Sequence, residues 1–518
     1  MANIIIDGDS DLAATDLTTV SGGTVSTNTS TDVTITGTDG TVYKLEGDFQ
    51  GGSGSTLPTS GTIARIVITG PNLENVDRMS ISGLSFDVTS FENFVNTNNA
   101  EGLAKALFAN DDHFNLVGGA SDSVLGGAGD DRFLMGATLD DSDHIAGNGG
   151  FNTVVLDGDY STGLVLGATT LTQINKIALS GAFTYNITTN DANVAAHHTL
   201  VVDARPGNSD TSVTFDGSSE TDGKFNFFAG DTGSVTFIGG AGNDVFHGGG
   251  SGATLMGGGG NDQFIFGGNF DGTSDINGGG GFNLVSLDGN YSDGLTFGAT
   301  SLQNIQELKL MHGSGNSYDL TLDAANTTAG ETFRLDASNL HNTDFVHFDG
   351  SAALGNLSLR GGNGDDLLVG GQGHTVFQGA LGADTMVAGA KSNHFVYDNV
   401  TDSNGTSYDT IRGFDANRDD ITVMNAVTGV DTAVTTGTLS DATFVTDLKH
   451  DIGAAQLGAD HAVLFTASAG DEAGNTFLII DQNGVAGYQF DGDIVIQLTG
   501  SAHLANLSAA DFLTHGLT

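Results

Sequence analysis

The chain has 518 residues, of which 79 are glycine and none is cysteine or tryptophan, so no disulfide can hold the fold. Hydrophobic residues make up 38% of the sequence, which is enough for a packed core and excludes a disordered linker or a collagen helix. Against 63 Asp and Glu stand only 15 Lys and Arg, and the resulting formal charge of −48 excludes nucleic acid and acidic lipid surfaces as partners and favours cations.

The first part of the chain is predicted to be β-rich. Residues 1–88 alternate apolar and polar side chains, as in "DVTITGT" and "TVYKLEGDF", and this period of two is typical of strands. A helix is predicted from "VTSFENFV" onward, because Thr89 and Glu92 have capping-box spacing, and it continues through "AEGLAKALF". We expect this helical segment to cap the glycine-rich region that begins near residue 110. We expect neither a cleaved N-terminal leader nor a membrane span.

Five segments fit the nonapeptide G-G-x-G-x-D-x-U-x, in which U is a large apolar residue. They begin at Gly126, Gly239, Gly257, Gly361 and Gly379, and their sixth residues are Asp131, Asp244, Asp262, Asp366 and Asp384. The glycines suit a tight turn, the aspartate supplies a hard carboxylate, and x-U-x is a short strand with U in the core. A Ca²⁺ ion between neighbouring turns would collect about six oxygen ligands and staple them together.

Looser turns surround these five segments. They supply the further candidate calcium ligands Asp122, Asp143, Asp275 and Asp409. Asn152 and Asn283 stand at the acidic position of two of these turns.

A longer repeat contains the nonapeptides, because residues 147–178 align with residues 278–309 at an offset of 131. Short apolar runs recur every 10–15 residues between the glycine-rich blocks, which indicates strands. We therefore predict an all-β fold with a continuous parallel β-solenoid. The alternative makes each intervening stretch a small separate β-sandwich.

Three domains are predicted on this basis. Residues 1–109 form a β-rich domain with the helical cap, and residues 396–518 form a second β-rich domain. Residues 110–395 form the solenoid, with calcium-rich blocks at about 110–152, 237–283 and 359–394.

Over about 110–518 the sequence resembles the RTX (repeat-in-toxin) proteins, in the nonapeptides and in "YDTIRGFDANRDDITV", "NTFLIIDQNGVAGYQFDGDIVIQLTG" and "LSAADF". The resemblance implies export by a type I secretion apparatus through an uncleaved C-terminal signal, and a location outside the cell or on its surface. It also implies that the sixth-position aspartates bind Ca²⁺. Asn152, Asn283 and Asn393 stand where that family has aspartate, so their turns are expected to bind calcium weakly or to be purely structural.

The sequence contains neither H-E-x-x-H nor G-x-S-x-G, so it lacks the zinc-protease and lipase motifs. Adjacent acids such as Asp130 and Asp131 would point to opposite faces of a strand and so would not form a catalytic pair. We predict a non-enzymatic, calcium-dependent structural protein that self-associates into a surface-layer lattice or a biofilm fibre. Its contacts would be strand pairing at the rod ends or donation of an N-terminal strand, "ANIIIDG". The alternatives are a calcium-dependent adhesin for cell-surface polysaccharide and a secreted hydrolase.

Overall fold

The computed structural model describes residues 3–7, 18–21, 23–52, 56–69, 78–116, 121–208, 210–230, 233–249, 252–313 and 315–514. The glycines at 118–119 of one loose turn, and the end of the predicted secretion-signal domain at 515–518, lie outside these residues. The chain forms two compact units, Met1–Gly260 and Asn261–Thr518. The limits of the three predicted domains stay predictions.

An antiparallel sheet begins the first unit. Its strands are β1 (Asn3–Asp7), β2 (Thr24–Asn28), β3 (Asp32–Thr36), β4 (Val42–Gln50), β5 (Ser60–Thr69) and β6 (Arg78–Asp87). They pair in the order β2, β3, β4, β5, β6, β1. Val33, Ile35 and Leu45 are buried and alternate with more exposed neighbours, as the period of two predicts.

The predicted helical cap is present. The helices of this region are α1 (Thr18–Ser21), α2 (Val88–Asn96) and α3 (Ala100–Leu107). Helix α2 is capped by Asp87, whose carboxylate accepts hydrogen bonds from the N–H groups of Thr89 and Ser90 at 2.9 Å. The predicted Thr89–Glu92 capping box is therefore wrong, because a carboxylate one residue before the helix satisfies these donors and suits the positive end of the helix. The Phe108 carbonyl, just after α3, accepts from the Ala128 N–H at 3.2 Å, so the helical segment covers the first coil.

Parallel strands continue the first unit. They are β7 (His113–Leu116), β8 (Ser123–Gly127), β9 (Arg132–Met135), β10 (His144–Asn148), β11 (Thr153–Leu156), β12 (Tyr160–Val165), β13 (Leu171–Thr172), β14 (Lys176–Leu179), β15 (Thr184–Thr188), β16 (Thr199–Asp203), β17 (Ser212–Asp216), β18 (Lys224–Phe228), β19 (Val235–Ile238), β20 (Val245–His247) and β21 (Thr254–Met256). Strands β7, β9, β11, β14, β16, β18 and β20 form one parallel ladder. Strands β12, β15, β17, β19 and β21 form another, and β8, β10 and β13 a third. The ladders run through residues 151–236, so this stretch continues the solenoid and is not a separate sandwich.

Strand β1 pairs antiparallel with β6 and parallel with β7 of its own chain. Both of its edges are thus used within the molecule. The structure does not support the predicted donation of this strand to a neighbouring molecule.

The second unit repeats the parallel architecture. Its coil strands are β22 (Gln263–Phe266), β23 (Asp275–Asn277), β24 (Leu284–Leu287), β25 (Tyr291–Thr296), β26 (Glu307–Leu310), β27 (Tyr318–Thr321), β28 (Thr332–Asp336), β29 (Val346–Asp349), β30 (Asn356–Arg360), β31 (Leu367–Val369), β32 (Thr375–Gln378), β33 (Thr385–Val387), β34 (Asn393–Val396), β35 (Asp409–Arg412) and β36 (Asp420–Val423). One ladder joins β22, β24, β26, β28, β30, β32, β34 and β36, and a second joins β25, β27, β29, β31, β33 and β35. The all-β, parallel solenoid prediction is confirmed.

Mostly antiparallel strands close the second unit. They are β37 (Gly429–Val430), β38 (His461–Thr466), β39 (Thr476–Asp481), β40 (Asp493–Thr499) and β41 (Phe512–Thr514), with helix α4 (Phe444–Asp451) among them. Strands β38, β39 and β40 are antiparallel, β40 continues the ladder of β35, and β41 continues that of β36. Phe444 and Leu448 of α4 pack on Phe465 and Phe477. Short 3-10 helices lie at Asp191–Asn193, Ala324–Asn326, Val400–Asp402, Asp441–Thr443, Leu504–Asn506 and Ala509–Asp511.

The duplicated module has the same local structure in both units. Strand β12 pairs with β15 through a register shift between Tyr160 and Leu164, and β25 pairs with β27 through the same shift. The stacked rings of Tyr160 and Tyr185 lie 6.1 Å apart, and those of Tyr291 and Tyr318 lie 5.8 Å apart. The offset of 131 residues therefore marks a structural repeat.

Stacked phenylalanines fill the first unit's coils. The ring centroid of Phe227 lies 4.7 Å from that of Phe237 and 4.9 Å from that of Phe246, and all three side chains are fully buried. Phe227 and Phe246 are register partners on β18 and β20, so their rings lie one above the other, and Phe237 packs on Phe227 from β19 of the other ladder.

We predict that Phe227→Ala lowers the unfolding free energy by about 3–5 kcal/mol, because it leaves a cavity in this stack. The measurement is urea unfolding in saturating calcium. The matched control is Phe151→Ala, whose ring is 49% exposed and whose loss is expected within about 0.5 kcal/mol. Equal losses in the two variants would contradict the stacked core.

Candidate calcium-binding turns

The sixth-position aspartates are buried, although aspartate side chains are rarely buried in proteins. Asp131, Asp244 and Asp384 are each 1% exposed, and Asp262 and Asp366 are 2% and 3% exposed. Their neighbours Asp130 and Asp365 are exposed. Adjacent acids therefore lie on opposite sides of the backbone, as expected, and do not form carboxylate pairs.

The carboxylates of Asp131, Asp244 and Asp366 each accept a backbone hydrogen bond from the preceding coil. The Asp112 N–H donates to Asp131 Oδ1 at 2.9 Å, and the Phe225 N–H donates to Asp244 Oδ1 at 2.7 Å. In the second unit the Val346 N–H donates to Asp366 Oδ1 at 2.8 Å. The acids thus form columns along the edges of the solenoid, and each side chain ties two coils together.

Three of the looser candidates join these columns. Asp143 Oδ1 accepts from the Asp122 N–H at 2.8 Å, and both residues are buried. Asp384 Oδ1 accepts from the Asp366 N–H at 2.9 Å, and Asp409 Oδ1 accepts from the Asp384 N–H at 3.0 Å. The structure therefore groups Asp122, Asp143 and Asp409 with the full-consensus acids.

Asp275 lies elsewhere. Its side chain is exposed and accepts a hydrogen bond from the Thr300 hydroxyl. Ser274, which is 1% exposed, holds the position that Asp143 has 131 residues earlier. The duplication offset is the signal that would have placed Ser274 there.

Sequence reasoning missed several members of the columns. The Asn152 N–H donates to Asn175 Oδ1 at 2.7 Å, and the Asn283 N–H donates to Gln306 Oε1 at 2.7 Å. Neither amide belongs to a glycine-rich turn, but the two are 131 residues apart, which is the only signal for them.

The turn glycines leave open a small space lined by acceptor oxygens. A Cβ built on Gly239 would lie 2.2 Å from Asp244 Oδ2 and 2.4 Å from the Gly257 carbonyl oxygen. At Gly361 the corresponding distances are 2.3 Å to Asp366 Oδ2 and 2.5 Å to the Gly379 carbonyl oxygen. Any side chain at these glycines would fill the space between carboxylate and carbonyl.

The first block has the same arrangement. A Cβ on Gly126 would lie 2.2 Å from Asp131 Oδ2 and 2.8 Å from the Gly147 carbonyl oxygen. Among the described residues, Asp131 Oδ2 and Asp384 Oδ2 are buried without a hydrogen-bond partner. Facing acceptors repel one another unless a cation lies between them, and carboxylate and carbonyl oxygens are the ligands that Ca²⁺ prefers. The residues therefore fit calcium, with the carboxylate and the next coil's carbonyl as ligands.

In the asparagine turns, the side-chain amide removes the repulsion between facing acceptor oxygens without an ion. A Cβ on Gly278 would lie 2.4 Å from both Asn283 Nδ2 and the Asn304 carbonyl oxygen. Asn283 Nδ2 donates to that carbonyl at 3.0 Å, and Asn152 Nδ2 donates to the Gln173 carbonyl at 3.2 Å. The amide donor replaces the cation, which gives a physical reason to expect these turns to be structural.

Burial raises the pKa of the column carboxyl groups. The pKa is raised to about 7 at Asp131 and Asp366, to about 6 at Asp244 and to about 8 at Asp384. Loss of hydration is the largest cause in each case, and nearby carboxylates add to it. The pKa of Asp409 is raised well above its ordinary value for the same reasons.

Residues 356–506 match the family model described as Peptidase M10 serralysin C terminal. This segment is an RTX-type calcium-binding repeat region, of the kind found in secreted proteins. It contains the turns of Asp366, Asp384 and Asp409, and the resemblance seen in the sequence is confirmed for it. No curated protein and no solved structure matches the chain.

The RTX-type region is the part of that family that is not catalytic, and it indicates a secreted, calcium-binding protein. Within the described residues, no helix combines the length and the apolar character that crossing a membrane would need.

We predict that Asp131→Asn and Asn283→Asp have opposite effects in EGTA. The first gives a donor to the Gly147 carbonyl and should raise the urea midpoint; the second turns a donor into an acceptor that faces the Asn304 carbonyl and should lower it. Each effect should be about 1–3 kcal/mol, the cost of an unsatisfied buried group.

Millimolar calcium should restore the urea midpoint that Asn283→Asp loses in EGTA. It should raise the midpoint of Asp131→Asn less than it raises that of wild type. Midpoints measured in EGTA and in millimolar calcium test this expectation. If both substitutions shifted the urea midpoint in EGTA in the same direction, the aspartate and asparagine turns would not differ in their need for a cation.

The raised pKa values also predict a pH dependence. An aspartate whose folded-state pKa exceeds the unfolded value of about 4 holds its proton longer in the fold, so stability is lost as pH rises through the folded-state pKa. In EGTA the folded fraction measured by circular dichroism should therefore fall between pH 5 and pH 8. Calcium should bind more tightly at pH 8 than at pH 5, because it displaces protons. A fold that gains stability with pH in EGTA would oppose this account.

Proposed function

We propose that the chain is a non-enzymatic structural protein of the cell surface or extracellular matrix, stiffened by calcium after secretion, that assembles with copies of itself. The observation that supports it is the repetition of buried carboxylate columns in both units. These columns serve the coils themselves, since each carboxylate links its own turn to the backbone of a neighbouring coil. A site for one substrate would not need them in every block.

Calcium-dependent folding suits export. Without calcium the facing oxygens and the charge of −48 oppose folding, so the chain would stay extended inside the cell. Extracellular calcium modules bind at about 10⁻⁴–10⁻³ M, where ions bound only by the fold stabilise it by mass action. Export by a type I apparatus is part of this proposal.

The proposed route of assembly does not use donation of the N-terminal strand, because β1 is paired on both edges within its own chain. Strand β7 is covered by β1, and β35 and β36 are covered by β40 and β41. Strands β1 and β40 are themselves paired on their other sides by β6 and β39, whereas β41 has β36 as its one strand partner among the described residues and keeps an edge that a neighbour could extend. Exposed carboxylates on the flanks, such as Asp130 and Asp365, offer contacts that calcium could bridge between molecules.

We predict that purified protein in millimolar calcium forms sheets or filaments and returns to monomers in EGTA. Light scattering and negative-stain microscopy measure both states. Magnesium at the same concentration is the control, because it keeps its water and bridges carboxylates poorly. Monomers throughout a millimolar calcium titration would refute the assembling-protein proposal.

A calcium-dependent adhesin is the second candidate, and one duplicated feature favours it. A cavity of about 380 Å³ in the first unit is lined by Asn148, Gln173 and Asn175. A cavity of about 470 Å³ in the second unit is lined by Gln303, Asn304 and Gln306. Amide side chains carry donors and acceptors together, which suits saccharide hydroxyl groups.

A polysaccharide-binding assay separates the two candidates. An adhesin would stay dispersed in calcium and bind a glycan array, and Gln173→Ala or Asn304→Ala would weaken that binding. An assembling structural protein would form polymers whether or not these amides are present.

A further inference from the structure

Three carboxylates meet in the first unit outside the nonapeptide turns. They belong to Asp191, in the 3-10 helix Asp191–Asn193, and to Glu220 and Asp222, in the turn between β17 and β18. One ligand oxygen from each lies within 4.8 Å of the others. The turn does not fit the nonapeptide, since Phe225 rather than an acid stands at the column position before Asp244.

Of the three acids, Glu220 is the one whose surroundings indicate that a ligand binds here. It is 1% exposed, and its Oε1 accepts from the N–H groups of Asp222 at 3.1 Å and Gly223 at 2.7 Å. Its Oε2 is buried and has no hydrogen-bond partner among the described residues. A buried carboxylate oxygen left in this state is costly unless a cation compensates it.

The other two acids are placed beside it by the backbone. Asp191 Oδ1 accepts from the Thr221 N–H at 2.9 Å and from the Thr221 hydroxyl at 2.7 Å, which holds two successive coils together. No ion pair to Lys or Arg involves any of the three acids in the described part of the chain. Like charges so close together repel one another without a counter-ion.

We propose that Asp191, Glu220 and Asp222 bind a hard divalent cation, for which calcium is the probe, at a site separate from the nonapeptide turns. The ligands are carboxylate oxygens only, and opposite oxygens around calcium lie about 4.6–5.2 Å apart, a spacing that accommodates the cluster. The Glu220 carbonyl accepts from the Ala241 N–H at 2.9 Å, so the ion braces the adjoining turn of Asp244.

Counting bound ions tests the site. Native mass spectrometry in calcium should find one ion fewer per chain in Glu220→Gln and in Asp191→Asn than in wild type. Asp210→Asn is the matched control, because it removes one exposed charge outside the cluster and should leave the count unchanged. Isothermal titration should show the same loss of one equivalent.

An unchanged count in Asp191→Asn overturns the proposal. This variant guards against a folding defect, because its side chain is exposed and its amide oxygen can still accept from Thr221. A loss of one ion in the control as well would overturn it too, since charge alone would then explain the effect.

Discussion

The structure depends on carboxylates that are buried opposite backbone carbonyls. At Gly126, Gly239 and Gly361 the chain passes so close to the next coil that a carboxylate oxygen and a carbonyl oxygen line the same small space. Two acceptors in that position oppose folding, and burial of the same carboxyl groups away from water raises the pKa of Asp131 and Asp366. We propose that a calcium ion turns this repulsion into a contact that holds adjoining coils, in a chain that has no cysteine to form disulfides.

The asparagine turns show what the calcium turns require. Asn152 and Asn283 keep the backbone hydrogen bond of the column but supply their own donor to the facing carbonyl. On this proposal the solenoid combines turns that need an ion with turns that do not. The asparagine turns occur at the start of each duplicated module, next to the candidate calcium turns. Under this proposal, the asparagine segments can be folded while the neighbouring aspartate segments are still unfolded for lack of calcium.

Much of the fold and of the candidate calcium turns could be predicted from the sequence, because the nonapeptide specifies both the turn and the buried acid. The aspartates at the sixth position, the strands and the helical cap follow from local pattern. Asp275 did not join the columns because its register is set by the duplication, which puts Ser274 in the buried position. Asn175, Gln306 and the Glu220 cluster have no local motif; the coils bring their partners together across 23 to 30 residues, and only the pairing of strands shows it. The position of β1 between β6 and β7 likewise depends on pairing between strands that are distant in sequence, which no local pattern shows.

Hydrogen exchange resolved by segment measures the central claim most directly. If calcium removes a repulsion between facing oxygens, the aspartate segments 126–134, 239–247, 361–369 and 379–387 should be protected in calcium and exchange rapidly in EGTA at pH 7.5. The asparagine segments 147–156 and 278–287 should lose much less protection. Equal protection of the aspartate segments with and without calcium would contradict the account, because the carboxylate columns would then be stable without an ion.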